Sequence, residues 1–187
     1  MGWYLRNLHF RLLVAMIIAI LLSGCASGQK EPLFIAPDFR QMEIRDIALL
    51  PVTFEERYAP PPGLDLEQEL RHRAASVLEQ KGYRISRGSA PKSGADGSAA
   101  AMAIHVDFLF ITETYGDITP PPVIDIEAVG ELVSTSSGEV LWRGRGVGKV
   151  GGVGGGGISR PVSARHIALT VLVESLFASL PEASGRR

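Results

Sequence analysis

The chain has 187 residues, with 19 Lys and Arg against 20 Asp and Glu, a formal charge of −1 and a single cysteine. That near-neutral balance, with no basic stripe interleaved with aromatic residues, excludes an electrostatic nucleic-acid footprint. One cysteine excludes an internal disulfide framework and a cysteine-built zinc site.

Residues 1–24 read as a leader. Arg6, His9 and Arg11 make a basic start, no acidic residue precedes Glu31, and Leu12 to Leu22 is an unbroken apolar run. At about 1.5 Å per residue this run spans about 16 Å, half of a roughly 30 Å hydrocarbon core, which is too short for a retained span. Ser23 and Gly24 supply the small residues a signal peptidase needs, and the lone Cys25 follows them. Leu22-Ser23-Gly24-Cys25 resembles the lipobox of bacterial lipoproteins. The resemblance implies cleavage before Cys25 and acylation of its sulfur, so the chain would sit on a membrane by its lipid. By the same likeness, Ala26 in place of Asp after the cysteine implies sorting to the outer membrane.

Without the leader the chain keeps about 163 residues and a charge near −3, enough for one domain with a core. The expected division is a lipidated tether over 25–39, a globular domain over 40–181 and a disordered tail over 182–187. Ile47 to Val52 is a continuous apolar run interrupted by Pro51, the pattern of a strand buried on both faces. The loop that follows, Thr53 to Gly63, is long and carries Pro60, Pro61 and Pro62. Asp65 and Gln68 resemble a capping box opening a helix to Lys81, with Leu66, Leu70, Ala74, Val77 and Leu78 as its apolar stripe. Gly82 stops that helix and Tyr83 to Ser86 forms a second strand, completing a right-handed β-α-β unit. Residues 87–98 are a polar surface loop.

From Ala101 to Thr112 the chain alternates. Ile104, Val106, Phe108 and Phe110 would share one face, with His105, Asp107 and Leu109 on the other. After Pro120, Pro121 and Pro122 it alternates again, with Ile124, Ile126, Ala128 and Leu132 inward and Asp125, Glu127 and Glu131 outward. Ser136-Ser137-Gly138 fits a three-residue hairpin loop with its glycine in the left-handed region. Thr135 would then face Glu139, Glu131 would face Arg143 and Asp125 would face Lys149, while Leu132 meets Trp142 and Ala128 meets Gly146. Gly144, Gly146 and Gly148 lie on the Trp142 face, which predicts close approach of something bulky, most simply the last helix. Residues 151–157 are a glycine-rich connector. Ser163 is positioned to cap a final helix over Ala164 to Leu180, preceded by Pro161. Leu169, Leu172, Val173, Leu176, Phe177 and Leu180 make its stripe, widened by Ile167 and Val171.

No catalytic constellation emerges. Gly146, Gly148 and Gly151 match a dinucleotide fingerprint by letters, but no strand-to-helix turn follows them. His105 and Asp107 on one strand, near Asp125 and Glu127, form a conceivable cation site that lacks further His or Cys ligands. His72 and His166 have no nucleophile at a readable spacing, and Glu55, Glu56 and Asp65 read as solvated loop charges. The expectation is no enzyme, no cofactor and no metal. The two triple-proline loops, Pro60 to Pro62 and Pro120 to Pro122, are the partner-binding candidates, because pre-ordered polyproline loses little entropy on docking.

Ile47-Ala48-Leu49-Leu50-Pro51, Gly82-Tyr83 after a helix, and Gly138 with Leu141-Trp142 and Gly144 together resemble a family of bacterial outer-membrane lipoproteins. Their domain is similar to the amino-terminal domain of TolB. The resemblance covers roughly residues 40–180 and implies an α/β (α+β) fold: one mixed sheet with a β-α-β start, a C-terminal antiparallel hairpin and helices packed on it. It also implies a non-catalytic role on the periplasmic side of the outer membrane, binding another envelope protein or assembling into a homo-oligomer. The alternative is a small-ligand or cell-wall binding lipoprotein, which would need a pocket near the Trp142 glycine face.

Overall fold

The computed structural model describes residues 32–87, 99–112, 123–151 and 161–183. In chain order the strands are β1 (Phe34–Ile35), β2 (Asp46–Leu49), β3 (Thr53–Phe54), β4 (Arg84–Arg87), β5 (Ala99–Thr112), β6 (Val123–Ser134) and β7 (Val140–Val150). Helix α1 (Leu66–Gln80) lies between β3 and β4, α2 (Pro161–Phe177) follows β7, and Glu56–Tyr58 is one 3₁₀ turn. The strands form one mixed sheet in the order β1-β7-β6-β5-β2-β4, with β3 beside β5, and it is not a barrel. Strand β2 is parallel to both β4 and β5, whereas β5, β6, β7 and β1 run antiparallel in succession. Both helices pack on one face of the sheet and against each other.

The apolar run at Ile47 behaves as its composition requires. Ile47, Ala48 and Leu49 are all fully buried, between a parallel neighbour on each side. The strand is shorter than the run, because Pro51 breaks it. Thr53 and Phe54, expected in a loop, resume the pairing as β3, opposite His105 and Val106. Helix α1 starts where Asp65 accepts a hydrogen bond from the Gln68 backbone N–H at 3.2 Å. It ends at Gly82, whose φ of +93° only glycine adopts without strain. Leu66, Leu70, Ala74, Ala75 and Leu78 are its buried face.

Along the hairpin the expected register holds: Glu131 faces Arg143, Asp125 faces Lys149, Leu132 faces Trp142 and Ala128 faces Gly146. The loop itself is one residue longer than expected. Ser134, not Thr135, is the bonded residue: its carbonyl accepts from Gly138 at 3.0 Å and its N–H donates to Glu139 at 2.9 Å. Leu141 then enters β7 as an extra residue and restores the register at Trp142. Gly138 does take the left-handed conformation, at φ +73°.

The glycine face is filled by α2. A Cβ at Gly146 would stand 2.6 Å from the Leu172 carbonyl oxygen, one at Gly148 would collide with the Ala168 carbonyl, and one at Gly144 would enter the Trp142 ring. Trp142 is fully buried there, with its ring centroid 6.0 Å from that of Phe177. Helix α2 begins at Pro161, earlier than the capping pattern suggested, and ends at Phe177. Its stripe from Leu169 to Leu180 is buried, but Ile167 and Val171 are exposed, so they do not widen the core. Between the helices, Arg73 donates to Thr170 at 2.9 Å, and within α1 it donates to Glu69 at 2.7 Å. Residues expected in the tether also join the sheet: β1 pairs Phe34 with Arg143 and Ile35 with Trp142, and Phe39 is buried.

Candidate interaction face

The sites read from the sequence lie mostly beyond the described residues. Leu22, Ser23, Gly24 and Cys25, and likewise Pro120, Pro121 and Pro122, fall outside them. Pro60 is half-buried, and Pro61 and Pro62 are exposed, after the 3₁₀ turn. The strongest grouping of polar and aromatic side chains is elsewhere, on the face of β5, β6 and β7 opposite the helices.

Two rows of opposite charge run along that face. On β6 stand Asp125, Glu127 and Glu131; on β7 stand Lys149, Arg145 and Arg143. They pair at 2.6 Å (Lys149 with Asp125), 2.5 Å (Arg145 with Glu127) and 2.7 Å (Arg143 with Glu131). The sequence pattern foresaw the first and last of these, whereas Glu127 reaches diagonally, because Val147 stands directly opposite it. Exposed pairs like these contribute little stability each, on the order of 0–1 kcal/mol. Their consequence is a patterned surface.

A bulge decides the rest. In β5 the pairing with β6 slips at Asp107, so that Val106 faces Ala128 but Phe108 faces Glu127. Phe108 and Phe110 therefore leave the face of Ile104 and Val106, where alternation had put them, and join the open face. Leu109 and Ile111 take their places inward and pack on the core. The cue in the sequence is that 108–111 is apolar at every position, which leaves the phase undetermined. Phe108 meets Tyr58 edge-on at 5.1 Å, the Arg57 guanidinium sits 4.8 Å over the Tyr58 ring, and Phe110 is 48% exposed.

Beside the bulge, His105 Nδ1 is 2.9 Å from the Thr53 hydroxyl, while its Nε2 is 3.7 Å from Glu55 and 3.9 Å from Asp107. The two carboxylates are beyond hydrogen-bonding distance, so the group is a hydroxyl–imidazole pair flanked by acids and not a connected relay. Opposite His105 stands Val129; Glu127 comes next on that face of β6, opposite Phe108, and Asp125 lies further along, opposite Phe110. Among the described residues no group of three or more His, Cys, Asp or Glu could hold a metal ion. A shallow, open depression of about 570 Å³ lies on this face, between Leu33, Ala103, His105, Val129 and Arg143. It is on the opposite side of the sheet from the Trp142 glycines, where the alternative reading had placed a pocket. Among the described residues no helix is long and apolar enough to cross a membrane.

No family model matches the chain, and no curated protein matches it. Solved structures do. The PelC dodecamer from Paraburkholderia phytofirmans is 16% identical at a TM-score of 0.51, over 74% of this chain and 90% of that one. A DUF330 protein from Xanthomonas campestris is 15% identical at 0.49, over 80% and 90% of the two chains. A lipoprotein from Neisseria meningitidis is 15% identical at 0.43, over 65% and 93%. At 16% identity the likeness to the P. phytofirmans protein is one of fold.

Proposed function

We propose that the chain is a lipid-anchored, non-enzymatic domain of the bacterial envelope that acts by binding protein, either another envelope protein or further copies of itself. The observation that carries the binding role is the sheet face that no described helix covers, patterned with paired charges and exposed aromatic rings. Leu22-Ser23-Gly24-Cys25 supports the anchor, with the cysteine acylated and held on the periplasmic side of the outer membrane. The TolB-like lipoprotein kinship belongs to the same reading. Self-assembly gains support from the P. phytofirmans protein of similar fold, which is a dodecamer.

The anchor is tested by Cys25→Ser. The variant should accumulate as uncleaved, unlipidated precursor by mass spectrometry, and normal processing would refute the assignment. Binding is tested by cross-linking in intact envelopes followed by purification of the chain. A distinct adduct, homomeric or heteromeric, is expected, and a chain that stays monomeric and alone refutes the binding role.

A further inference from the structure

We infer that the open face of β5, β6 and β7 is a two-fold interface with a second copy of this chain, in which Phe34 of each copy seats against Ala103 of the other. The inference rests on the assembly reading above and names its surface. Four residues stand in one row across the sheet: Phe34 opposite Arg143, Arg143 opposite Glu131, and Glu131 opposite Ala103. Directly paired residues point to the same face, so the row reads exposed ring, cation, anion, notch. Phe34 is 44% exposed, and Ala103 lines the depression.

That order is self-complementary. A two-fold axis parallel to the strands and midway between β6 and β7 carries the β7 position onto β6 and the β1 position onto β5, without movement along the strands. Arg143 of one copy then lies over Glu131 of the other, and Phe34 over Ala103. The same operation sets Lys149 over Asp125, since these two also share a row. Two of the ladder's three cations, Arg143 and Lys149, thus meet carboxylates, while Arg145 lies over Val129, and every contact is made twice, as an isologous interface requires.

The area is sufficient. Three strands about 4.8 Å apart and about 36 Å long cover roughly 500 Å² per copy, or about 1,000 Å² in total, the lower bound for a specific interface. Because the ladder is already paired within each copy, its charges enter the interface with hydrogen bonds made, which limits the desolvation cost.

The test uses the full-length chain in detergent with Cys25→Ser, so that introduced thiols are the only ones. Chains carrying Phe34→Cys are mixed with differently tagged chains carrying Ala103→Cys and treated with a short bifunctional thiol reagent. Any adduct between the two tags joins separate copies. A discrete dimer is expected, at least tenfold above a control pairing Phe34→Cys with Glu67→Cys on α1. Arg143→Glu should lower the yield tenfold, with an unchanged circular dichroism spectrum, and adding Glu131→Arg should restore it. A yield equal to the control, or indifference to Arg143→Glu, overturns the interface. Native mass of the unmodified chain separates the two levels. An oligomer without the 34–103 adduct leaves assembly standing on another surface, whereas a monomer removes self-assembly and this interface together.

Discussion

Gly146 and Gly148 set the distance between α2 and the sheet. The atoms that a Cβ at Gly146 would meet are the Leu172 carbonyl oxygen and the Leu176 Cβ and Cα, which belong to or sit on the helix backbone and cannot rotate away. Gly146→Ala should therefore cost about 1–3 kcal/mol as the helix is lifted, read by urea unfolding; a change under about 0.5 kcal/mol would contradict the packing. Gly130→Ala is the contrast. Its nearest neighbours, at 3.3 and 3.4 Å, are the Trp142 ring edge and a Leu176 methyl, which can shift.

At the scale of elements, α2 guards the edge of β7. Strand β1 covers that edge only at Arg143 and Trp142. Further along, Ser175 Oγ accepts from the Val147 N–H at 2.9 Å and lies 3.2 Å from the Val147 carbonyl, so a helix side chain occupies the place of a neighbouring strand. The close approach that allows this comes from the glycines beneath. Ser175→Ala should cost about 1 kcal/mol and speed amide hydrogen exchange at Val147 selectively. Unchanged protection at that amide would show that the serine does not hold the edge.

For the whole molecule, the segment after α2 closes the fold onto the turn between α1 and β4. Lys81 donates to the Leu180 carbonyl and the Tyr83 hydroxyl to the Pro181 carbonyl, each at 2.8 Å, and the Ala183 N–H bonds the Lys81 carbonyl at 2.9 Å. Burial first, and the Glu182 carboxylate second, push the Tyr83 phenol well above its ordinary value of 10.0. Burial lowers the Lys81 ammonium, partly offset by Glu182. For Tyr83 the native state holds a proton that the unfolded chain loses above pH 10. Its contribution is therefore complete below that pH and declines as pH rises toward the folded value. Lys81 acts in the opposite sense, since the cost of burying its charge is relieved as it deprotonates. Tyr83→Phe should be about 1 kcal/mol less stable than the parent at pH 7, and the gap should narrow or reverse above pH 10. A gap independent of pH would remove the phenol from the alkaline response.

What the amino-acid order determines by itself is local and periodic. It sets the capped helix from Asp65 to Gly82, the alternation of β6 and the hairpin register, because each depends on neighbours within a few residues or on a strict two-residue phase. It also foretells the close packing on Gly144, Gly146 and Gly148, since missing side chains leave a space that something must fill. Only the tertiary structure decides the face of Phe108 and Phe110, because an all-apolar stretch fits either phase and the bulge at Asp107 answers to its pairing with β6. Only it joins Phe34 to the sheet, and leaves Ile167 and Val171 exposed, because a helix's buried arc depends on what lies beneath it. The row from Phe34 to Ala103 spans four strands distant in sequence, so no window along the chain contains it.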